Sequence, residues 1–360
     1  MANSGGMRER RIISLKNRLG RVPYLLDFYE NEEIDPLVII KEYKTYQTLL
    51  EAMEKERYIG RMTEKEHITV EYLSKTVLSG TRPYELEILK RVLRQEEISI
   101  ENMEHDFQEE YGYAMDSASF ENAISVLQGE FVSKDEEYQR YCHMDIIHPA
   151  EGRMLRRVKS YADQLINMEF RRQINDIVMV GLHRYQEKYA VGRAEGSPFV
   201  LYEKYSRRDV CLLMNCGKDL SATMYGMKRI RDDVFIFVTY HKVEVADEGK
   251  NYADGKPDYA DEFEDSMTFR WDSQIGRSID SSYIGDVTKA KRKHLLVKKN
   301  DAETSFYYMG QFDITDMWPA KKKDNQGKER DITKFEVKMH HAVREDLLRY
   351  LQSNLEEENA

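Results

Sequence analysis

Residues 234–240 read Val-Phe-Ile-Phe-Val-Thr-Tyr, a run of β-branched and aromatic side chains that is typical of a buried β-strand. Four later stretches have the same character: 267–271, 294–297, 305–308 and 335–339. No helical pattern alternates with them, which argues against a parallel sheet built from strand–helix–strand units. The pattern therefore predicts a curved, mostly antiparallel sheet or barrel-like domain over residues 197–356, closed by an amphipathic helix over 342–355.

The chain before this region has a different sequence pattern, which predicts helix after helix from residue 8 to about 190. Asp35-Pro36 is a helix start, and Thr63 with Glu66 has the spacing of a capping box. The segment GRAEGSP, residues 192–198, is the best linker candidate. We therefore expect an α+β chain with a tag or disordered tail over residues 1–7, a helical domain over 8–191 and the β-rich domain over 197–356.

Composition limits the class of protein. The 360 residues are 41% hydrophobic and 33% charged, and the net charge is -10. No apolar run approaches the roughly 18 residues that a membrane helix needs, and three cysteines without a CxxC pair predict no disulfide framework. We expect a cytoplasmic protein without membrane contact. The acidic balance excludes a chain that is basic throughout, but a local positive stripe is enough for nucleic acid.

Motifs for nucleotide hydrolysis and for common metal or nucleophilic chemistry are missing from the sequence. There is no GxxxxGK[ST], no HExxH and no GxSxG, so we expect no catalytic residue, metal or cofactor. One fragment, Glu336-Val-Lys338, matches part of a nuclease core in which a carboxylate holds magnesium and a lysine helps to activate water. Alternation along a charged strand explains the same spacing, so a metal-dependent nuclease stays an alternative.

Three features of the second domain suit contact with DNA. The first is the start of a short helix, where free amides and the side chains of Tyr205, Arg207 and Arg208 would suit a phosphate. The second is an aromatic and polar set that could hold a base by stacking and edge hydrogen bonds: Tyr240, His241, Phe269, Trp271, Ser273 and Gln274. The third is a stripe of six bases without an acid, suited to the DNA backbone: Lys289, Lys291, Arg292, Lys293, Lys298 and Lys299.

Each feature also has a purely structural reading: a capped helix with solvated arginines, a core tryptophan and a solvated loop.

Four phrases in the same region carry a resemblance, and they occur in this order: Tyr205-Ser-Arg-Arg-Asp-Val-Cys-Leu-Leu213, Ile236-Phe-Val-Thr-Tyr-His-Lys242, Phe269-Arg-Trp-Asp-Ser-Gln274 and Phe306-Tyr-Tyr-Met-Gly310. They resemble the C-terminal domain of unknown function of DEAD/DEAH-type (superfamily 2) bacterial helicases, including the SauUSI-like type IV restriction enzymes. With the upstream helical stretch, the resemblance covers nearly the whole chain.

The resemblance implies a helical coupler followed by a recognition domain that is similar in architecture to SRA, PUA or EVE-like barrels. That domain is implicated in sensing 5-methylcytosine or 5-hydroxymethylcytosine in phage defence. The implied partners are double-stranded DNA, possibly methylated, and a helicase or nuclease subunit in cis or trans. The family's motor and nuclease motifs are missing here, so we expect a non-enzymatic module that flips a modified cytosine into the aromatic set. A protein platform that docks a helicase or nuclease is the second alternative.

Overall fold

The structure is a computed structural model that describes residues 4–31, 34–53, 62–194, 196–241, 261–324 and 326–353. The described chain forms two units. The helical unit comprises the residues up to Val191 together with Cys211–Asp219, and the sheet unit comprises Gly192–Val210 together with the residues from Leu220 onward. The range predicted for the second domain, 197–356, includes the segment 211–219. Within the described ranges, no helix combines the length and the apolar character that crossing a bilayer demands.

The helical unit has eleven α-helices in its described residues: α1 Ser4–Leu19, α2 Leu25–Glu30, α3 Pro36–Tyr43, α4 Tyr46–Met53, α5 Glu64–Thr76, α6 Tyr84–Val92, α7 Ile100–Tyr111, α8 Ser117–Leu127, α9 Asp135–Tyr141, α10 Lys159–Gln164 and α11 Met168–Arg184. The predicted start signals are confirmed. Asp35 accepts a hydrogen bond from the Leu37 amide, and Thr63 and Glu66 form a reciprocal capping box. Helix α1 begins at Ser4, inside the segment predicted as a tail.

A small antiparallel sheet interrupts the helices, with the order β1-β3-β2: β1 Glu97–Ser99, β2 Ile147–Ala150 and β3 Met154–Arg157. Our prediction of helix after helix from residue 8 to about 190 is wrong over residues 147–157, because a tight turn at Gly152, with a φ of 72°, folds β3 back onto β2. Asn167 then caps α11, which ends in a π-helical turn over Tyr185–Tyr189.

The segment Cys211–Asp219 joins the helical unit through the buried side chain of Arg82. The guanidinium donates to the Leu212 carbonyl at 2.5 Å and to Asn215 Oδ1 at 2.9 Å, and its Nε donates to Glu85 Oε1 at 2.9 Å. Arg82 is only 5% exposed. A buried cation is stable only when its charge and its hydrogen-bond donors have partners. The hydrogen bonds of Arg82 therefore hold the segment Cys211–Asp219 against the helical unit.

The sheet unit contains eight strands in its described residues: β4 Lys204–Tyr205, β5 Met227–Ile230, β6 Asp233–His241, β7 Glu262–Phe263, β8 Thr268–Asp272, β9 Arg292–Asn300, β10 Phe306–Lys323 and β11 Glu329–Met339. Their order is β5-β6-β9-β10-β11-β8-β7, and β4 pairs with β10. The remaining described elements are α12 Arg207–Leu213, a 3-10 turn over Ser221–Thr223, α13 Ser282–Lys289 and α14 Glu345–Gln352.

The α+β class and the β-rich character of the second half are confirmed, and every predicted strand lies in β6, β8, β9, β10 or β11. The barrel-like closure is not confirmed, because in the described residues β5 and β7 form the two edges of the sheet and do not pair with each other. In addition, β6 runs parallel to β9. A parallel pair needs a long crossover, and the connection that contains α13 provides it.

The core of the sheet unit lies between the sheet and helices α13 and α14. Alternate strand residues point to one face of a sheet, and here that face carries Phe269, Trp271 and Phe335. Ile284 of α13 and Leu351 of α14 belong to the same buried cluster. The two helices thus cover one face of the sheet.

Candidate nucleic-acid interface

The two largest rings of the predicted base-binding set lie in the core. Trp271 is 4% exposed, and its ring stacks on Phe335 with the centroids 4.8 Å apart. Phe269 is fully buried, and its ring lies 4.7 Å from that of Phe263. The prediction that these two rings hold a base is therefore wrong for this structure, because strand alternation turns both toward α13 and α14.

Two other members of that set have structural partners. The Ser273 hydroxyl accepts from the Thr333 amide at 2.8 Å and so binds the loop after β8 to β11. The Tyr240 hydroxyl accepts from the Phe263 amide at 3.3 Å, and burial raises the pKa of Tyr240. The side chain of His241 lies outside the described residues. Gln274 is half-buried.

The basic stripe is a strand and not a loop. Lys289 is the exposed last residue of α13, and the other five bases follow in or beside β9, between β6 and β10. Lys291 pairs with Asp232 at 2.9 Å, and Arg292 makes two hydrogen bonds to Asp233, at 2.6 and 2.7 Å. These carboxylates pair with both bases, so the stripe is not a continuous row of unpaired cations.

The remaining bases of β9 are also engaged. Lys293 donates to the Ala290 carbonyl at 3.0 Å, and Lys298 donates to the Glu303 carbonyl at 3.0 Å. Lys299 is fully buried and donates to Ser353 Oγ at 2.8 Å. A run of bases on a central strand must find internal partners, since half of its side chains point into the protein.

A buried polar network lies behind Arg292 and was not predicted. His294 is 1% exposed, with Nε2 2.8 Å from Asp233 Oδ1 and Nδ1 2.9 Å from the Tyr308 hydroxyl. A carboxylate can only accept, so the neutral ring carries its proton on Nε2 and Nδ1 accepts from Tyr308. Burial lowers the pKa of His294. Burial alone would raise the pKa of Asp233, but hydrogen bonds from His294 and Arg292 lower it to about 2.

The start of α12 is closed by its own side chains. The Ser206 amide donates to Asp209 at 2.7 Å, and the Asp209 amide donates to the Ser206 hydroxyl at 3.2 Å. Tyr205 is buried, and its hydroxyl accepts from the Val200 amide at 2.8 Å. Arg208 is half-buried. The predicted phosphate site on free amides is therefore corrected, because the Asp209 carboxylate already occupies the helix start.

Arg207 is different, because its guanidinium lies among aromatic rings of the sheet unit. Its central carbon is 5.2 Å from the ring centroid of Tyr225, 5.5 Å from that of Phe237 and 5.1 Å from that of Phe306. Its Nε is buried without a hydrogen-bond partner, and no carboxylate of the described chain pairs with it. Burial lowers the pKa of Arg207. The rings compensate the desolvated cation only in part, so an anion from outside would be favoured here.

Gln274 contacts the same place. Its Nε2 donates to the Tyr225 carbonyl at 2.7 Å and lies close to Gly226, which has a φ of 72°. The Tyr225 side chain is 63% exposed. We call Arg207, Tyr225, Phe237, Gln274 and Phe306 the Tyr225 cluster. It unites Arg207, predicted as a backbone contact, with Gln274, predicted as a base contact, around a tyrosine that we did not predict.

A second cation borders the cluster, since Lys298 Nζ lies 5.4 Å from the ring centroid of Phe306. Sequence reasoning missed Tyr225, Phe237 and Phe306 as site residues. Phe237 and Phe306 lie in strand-like segments of the sequence, where an aromatic side chain is expected to be part of the core. The sequence signal that could have identified Tyr225 is its position directly before Gly226, since a glycine marks a turn.

The nuclease alternative gains no support from the geometry. Glu336 lies 3.8 Å from the Arg270 guanidinium, and the Thr315 hydroxyl donates to it at 3.2 Å. Lys338 is exposed one pair further along β11. No group of three metal-ligating side chains occurs in the described residues, so nothing among them completes a magnesium site around Glu336.

Two family models match the chain. One is described as a domain of unknown function (DUF8090) and matches residues 9–188, which is half of the chain; the other is described as a domain of unknown function (DUF3427) and matches residues 199–351. A search of the curated proteins found no match.

Similar solved structures include Arabidopsis thaliana SUVH6 in complex with SAM, with 12% identity over 50% of this chain and 35% of that chain and a TM-score of 0.27. The sulfur binding domain and SRA domain of ScoMcrA complexed with phosphorothioated DNA have 9% identity over 82% and 97% of the two chains, with a TM-score of 0.23. The type IV phosphorothioation-dependent restriction endonuclease ScoMcrA has 9% identity over 89% of this chain and 64% of that chain, also with a TM-score of 0.23. The aligned part thus spans about a third of the SUVH6 chain. Similarities of this size do not establish a common fold.

Proposed function

The chain belongs to the family described as domain of unknown function DUF8090, and because that membership names no activity, we propose a function from the geometry of the sheet unit. We infer that the protein is a DNA-recognition module and that the Tyr225 cluster is its contact with the nucleotide. The observation that carries this proposal is the half-buried Arg207 guanidinium, which has no carboxylate partner in the described chain and lies beside the exposed ring of Tyr225.

The charge of Arg207 favours a phosphate group. A guanidinium offers planar, paired donors that match phosphate geometry, and a partly desolvated cation gains more from an anion than a solvated one does. The carboxylates that neutralise Arg292 and Lys291 have no counterpart at Arg207 among the described residues. Arg207 therefore differs from Arg292 and Lys291 in a chain of net charge -10.

The exposed ring and the amide favour a base next to that phosphate. Stacking on an aromatic ring contributes roughly 1–3 kcal/mol per base, which is comparable with the few kcal/mol that flipping a base costs. We propose that Tyr225 stacks on a flipped cytosine carrying a 5-methyl or 5-hydroxymethyl group, and that the Gln274 amide reads its edge. Tyr225 thereby takes the role that we first expected of Trp271.

The decisive experiment measures binding of duplexes by fluorescence anisotropy with unmodified, 5-methylcytosine and 5-hydroxymethylcytosine probes. Arg207→Met keeps the packing among the rings and removes the charge, so we expect it to weaken all three complexes at least tenfold, since hydrogen bonds to charged groups contribute about 1.5–3 kcal/mol. Arg208→Met is the matched control on the same helix. Unchanged binding by Arg207→Met would reject the cluster as the contact.

Base preference is tested separately from overall affinity. Tyr225→Ala should lower the affinity for modified duplexes by roughly 5- to 150-fold, the loss of 1–3 kcal/mol of stacking, whereas Tyr225→Phe should retain it. Gln274→Ala should reduce the ratio between modified and unmodified duplexes. Equal binding of all three probes by the wild-type protein would remove the modified cytosine from the proposal and leave general DNA binding.

A specific observation also favours docking of a helicase or nuclease partner on the helical unit. Ile166, just before α11, and Met168, its first residue, are 78% and 74% exposed, and contiguous exposed apolar surface favours protein contacts. We propose this as a second function, compatible with the first. A purified helicase partner should bind the wild-type protein without DNA and lose affinity for the Ile166→Ser, Met168→Ser double variant.

A further inference from the structure

Strands β10 and β11 continue beyond the rest of the sheet as a two-stranded ribbon. Pairing of β9 with β10 ends at Gln311, and pairing of β8 with β11 ends at Lys334. The loop after β8 contacts β11 as far as Asp331, whose carbonyl accepts from the Gly276 amide at 2.8 Å. From residue 321 to residue 330, the described backbone of the two strands pairs only within the ribbon. We call the described residues 321–324 and 326–330 the ribbon arm.

The dimensions of the ribbon arm fit a DNA groove. Residues 321–323 pair with 329–331, and three residues at about 3.4 Å each give roughly 10 Å before the connection between the two strands is added. The major groove is about 12 Å wide and 8.5 Å deep, and it admits a two-stranded ribbon. The arm is therefore long enough to reach the groove floor or to lie along its phosphate walls.

The ribbon arm also carries more bases than acids. Residues 321–330 contain five bases and two acids in a chain of net charge -10. One acid, Asp324, is occupied by the turn, since it accepts from the Gln326 amide at 3.0 Å and pairs with Arg330 at 2.9 Å. Three exposed lysines of the arm have no carboxylate within 4 Å in the described chain: Lys321, Lys323 and Lys328.

Two lysines of β9 differ from them, since Lys298 and Lys299 are half-buried and buried and donate to partners within the protein. Glu329 and Asp331 lie opposite Lys323 and Lys321 in register but form no ion pair with them. Exposed cations that no internal acid holds are available to phosphates, and each phosphate that they neutralise releases counterions.

We propose that the ribbon arm is a second DNA-binding site, which contacts the backbone of duplex DNA through Lys321, Lys323 and Lys328 independently of sequence and modification. This inference rests on the proposed function, and it assigns general affinity to the arm and base preference to the Tyr225 cluster.

The test is the salt dependence of duplex binding by the full chain. We expect the triple variant Lys321→Gln, Lys323→Gln, Lys328→Gln to bind every duplex more weakly and to lower the slope of log K against log salt by about 2.7, since each lost phosphate contact removes about 0.9. Between 50 and 200 mM salt, the wild type should then lose about 40-fold more affinity than the variant. The ratio between modified and unmodified probes should stay unchanged.

A matched control makes the same change of charge elsewhere. Lys65, Lys159 and Lys218 are exposed lysines of the helical unit, and their triple glutamine variant should keep the wild-type slope. A wild-type slope in the arm variant, or an equal fall in the control, overturns the inference while the Arg207 experiment still stands. If the wild-type protein binds no duplex, the proposed function fails, and the arm fails with it.

Discussion

Replacing Trp271 with alanine separates a core role from a ligand role. Trp271 is 4% exposed and stacks on Phe335 at 4.8 Å, and truncation of such a buried aromatic costs about 3–5 kcal/mol in transfer free energy and cavity formation. We expect a loss of about 4 kcal/mol in the free energy of unfolding of the sheet unit, a large part of the 5–15 kcal/mol typical of a domain.

Urea unfolding followed by far-ultraviolet circular dichroism measures this loss. Trp271→Phe should cost less than about 1.5 kcal/mol, because a smaller ring still packs on Phe335. The other tryptophan, Trp318, is half-buried on β10, so Trp318→Ala should cost clearly less than Trp271→Ala. The reasoning is refuted if Trp271→Ala loses under about 1 kcal/mol while the folded protein loses its preference for modified DNA, since the ring would then contact the base.

Three further predictions concern Gly226, His294 and Arg82. Gly226→Ala should destabilise the sheet unit by about 1–2 kcal/mol and release Gln274, because φ is 72° and the new Cβ would lie 2.9 Å from the amide nitrogen; an unchanged melting temperature would contradict this. Burial lowers the pKa of His294, so the unfolded state takes up the proton more readily and stability should fall as the pH drops below about 6.5; equal urea midpoints at pH 7.5 and 5.5 would contradict it. Arg82→Met should destabilise the helical unit by about 3–5 kcal/mol by leaving Glu85 buried and unpaired, and adding Glu85→Leu should restore most of the loss; a double variant as unstable as the single one would argue against the ion pair as the cause.

The sequence predicted elements better than it predicted their assembly. Local patterns identified β6 from residues 234–240 and the capping box at Thr63, because both depend on neighbouring residues. Closure of the sheet and the parallel pairing of β6 with β9 depend on a crossover that no local pattern encodes. The barrel-like domain was inferred from strand patterns without intervening helical patterns, and the open sheet became visible only in the structure.

The site was predictable in its residue types and not in its grouping. Alternation alone would have placed Phe269 and Trp271 on one face, but whether helices cover that face depends on α13 and α14. Lys291 and Arg292 have carboxylate partners 59 residues earlier in the chain, at Asp232 and Asp233. Arg207 and Gln274 were each predicted as DNA contacts, and only the fold brings them to Tyr225.

The chain order of the helical unit has a practical consequence. The segment Cys211–Asp219 returns to that unit after the linker candidate has been passed, and it supplies the Leu212 carbonyl and the Asn215 amide oxygen to Arg82. A truncation at residue 191 would therefore remove two acceptors of the buried Arg82 guanidinium and leave it with Glu85 and Asn122. An autonomous helical fragment has to extend through Asp219, so no single cut of the polypeptide yields both units intact.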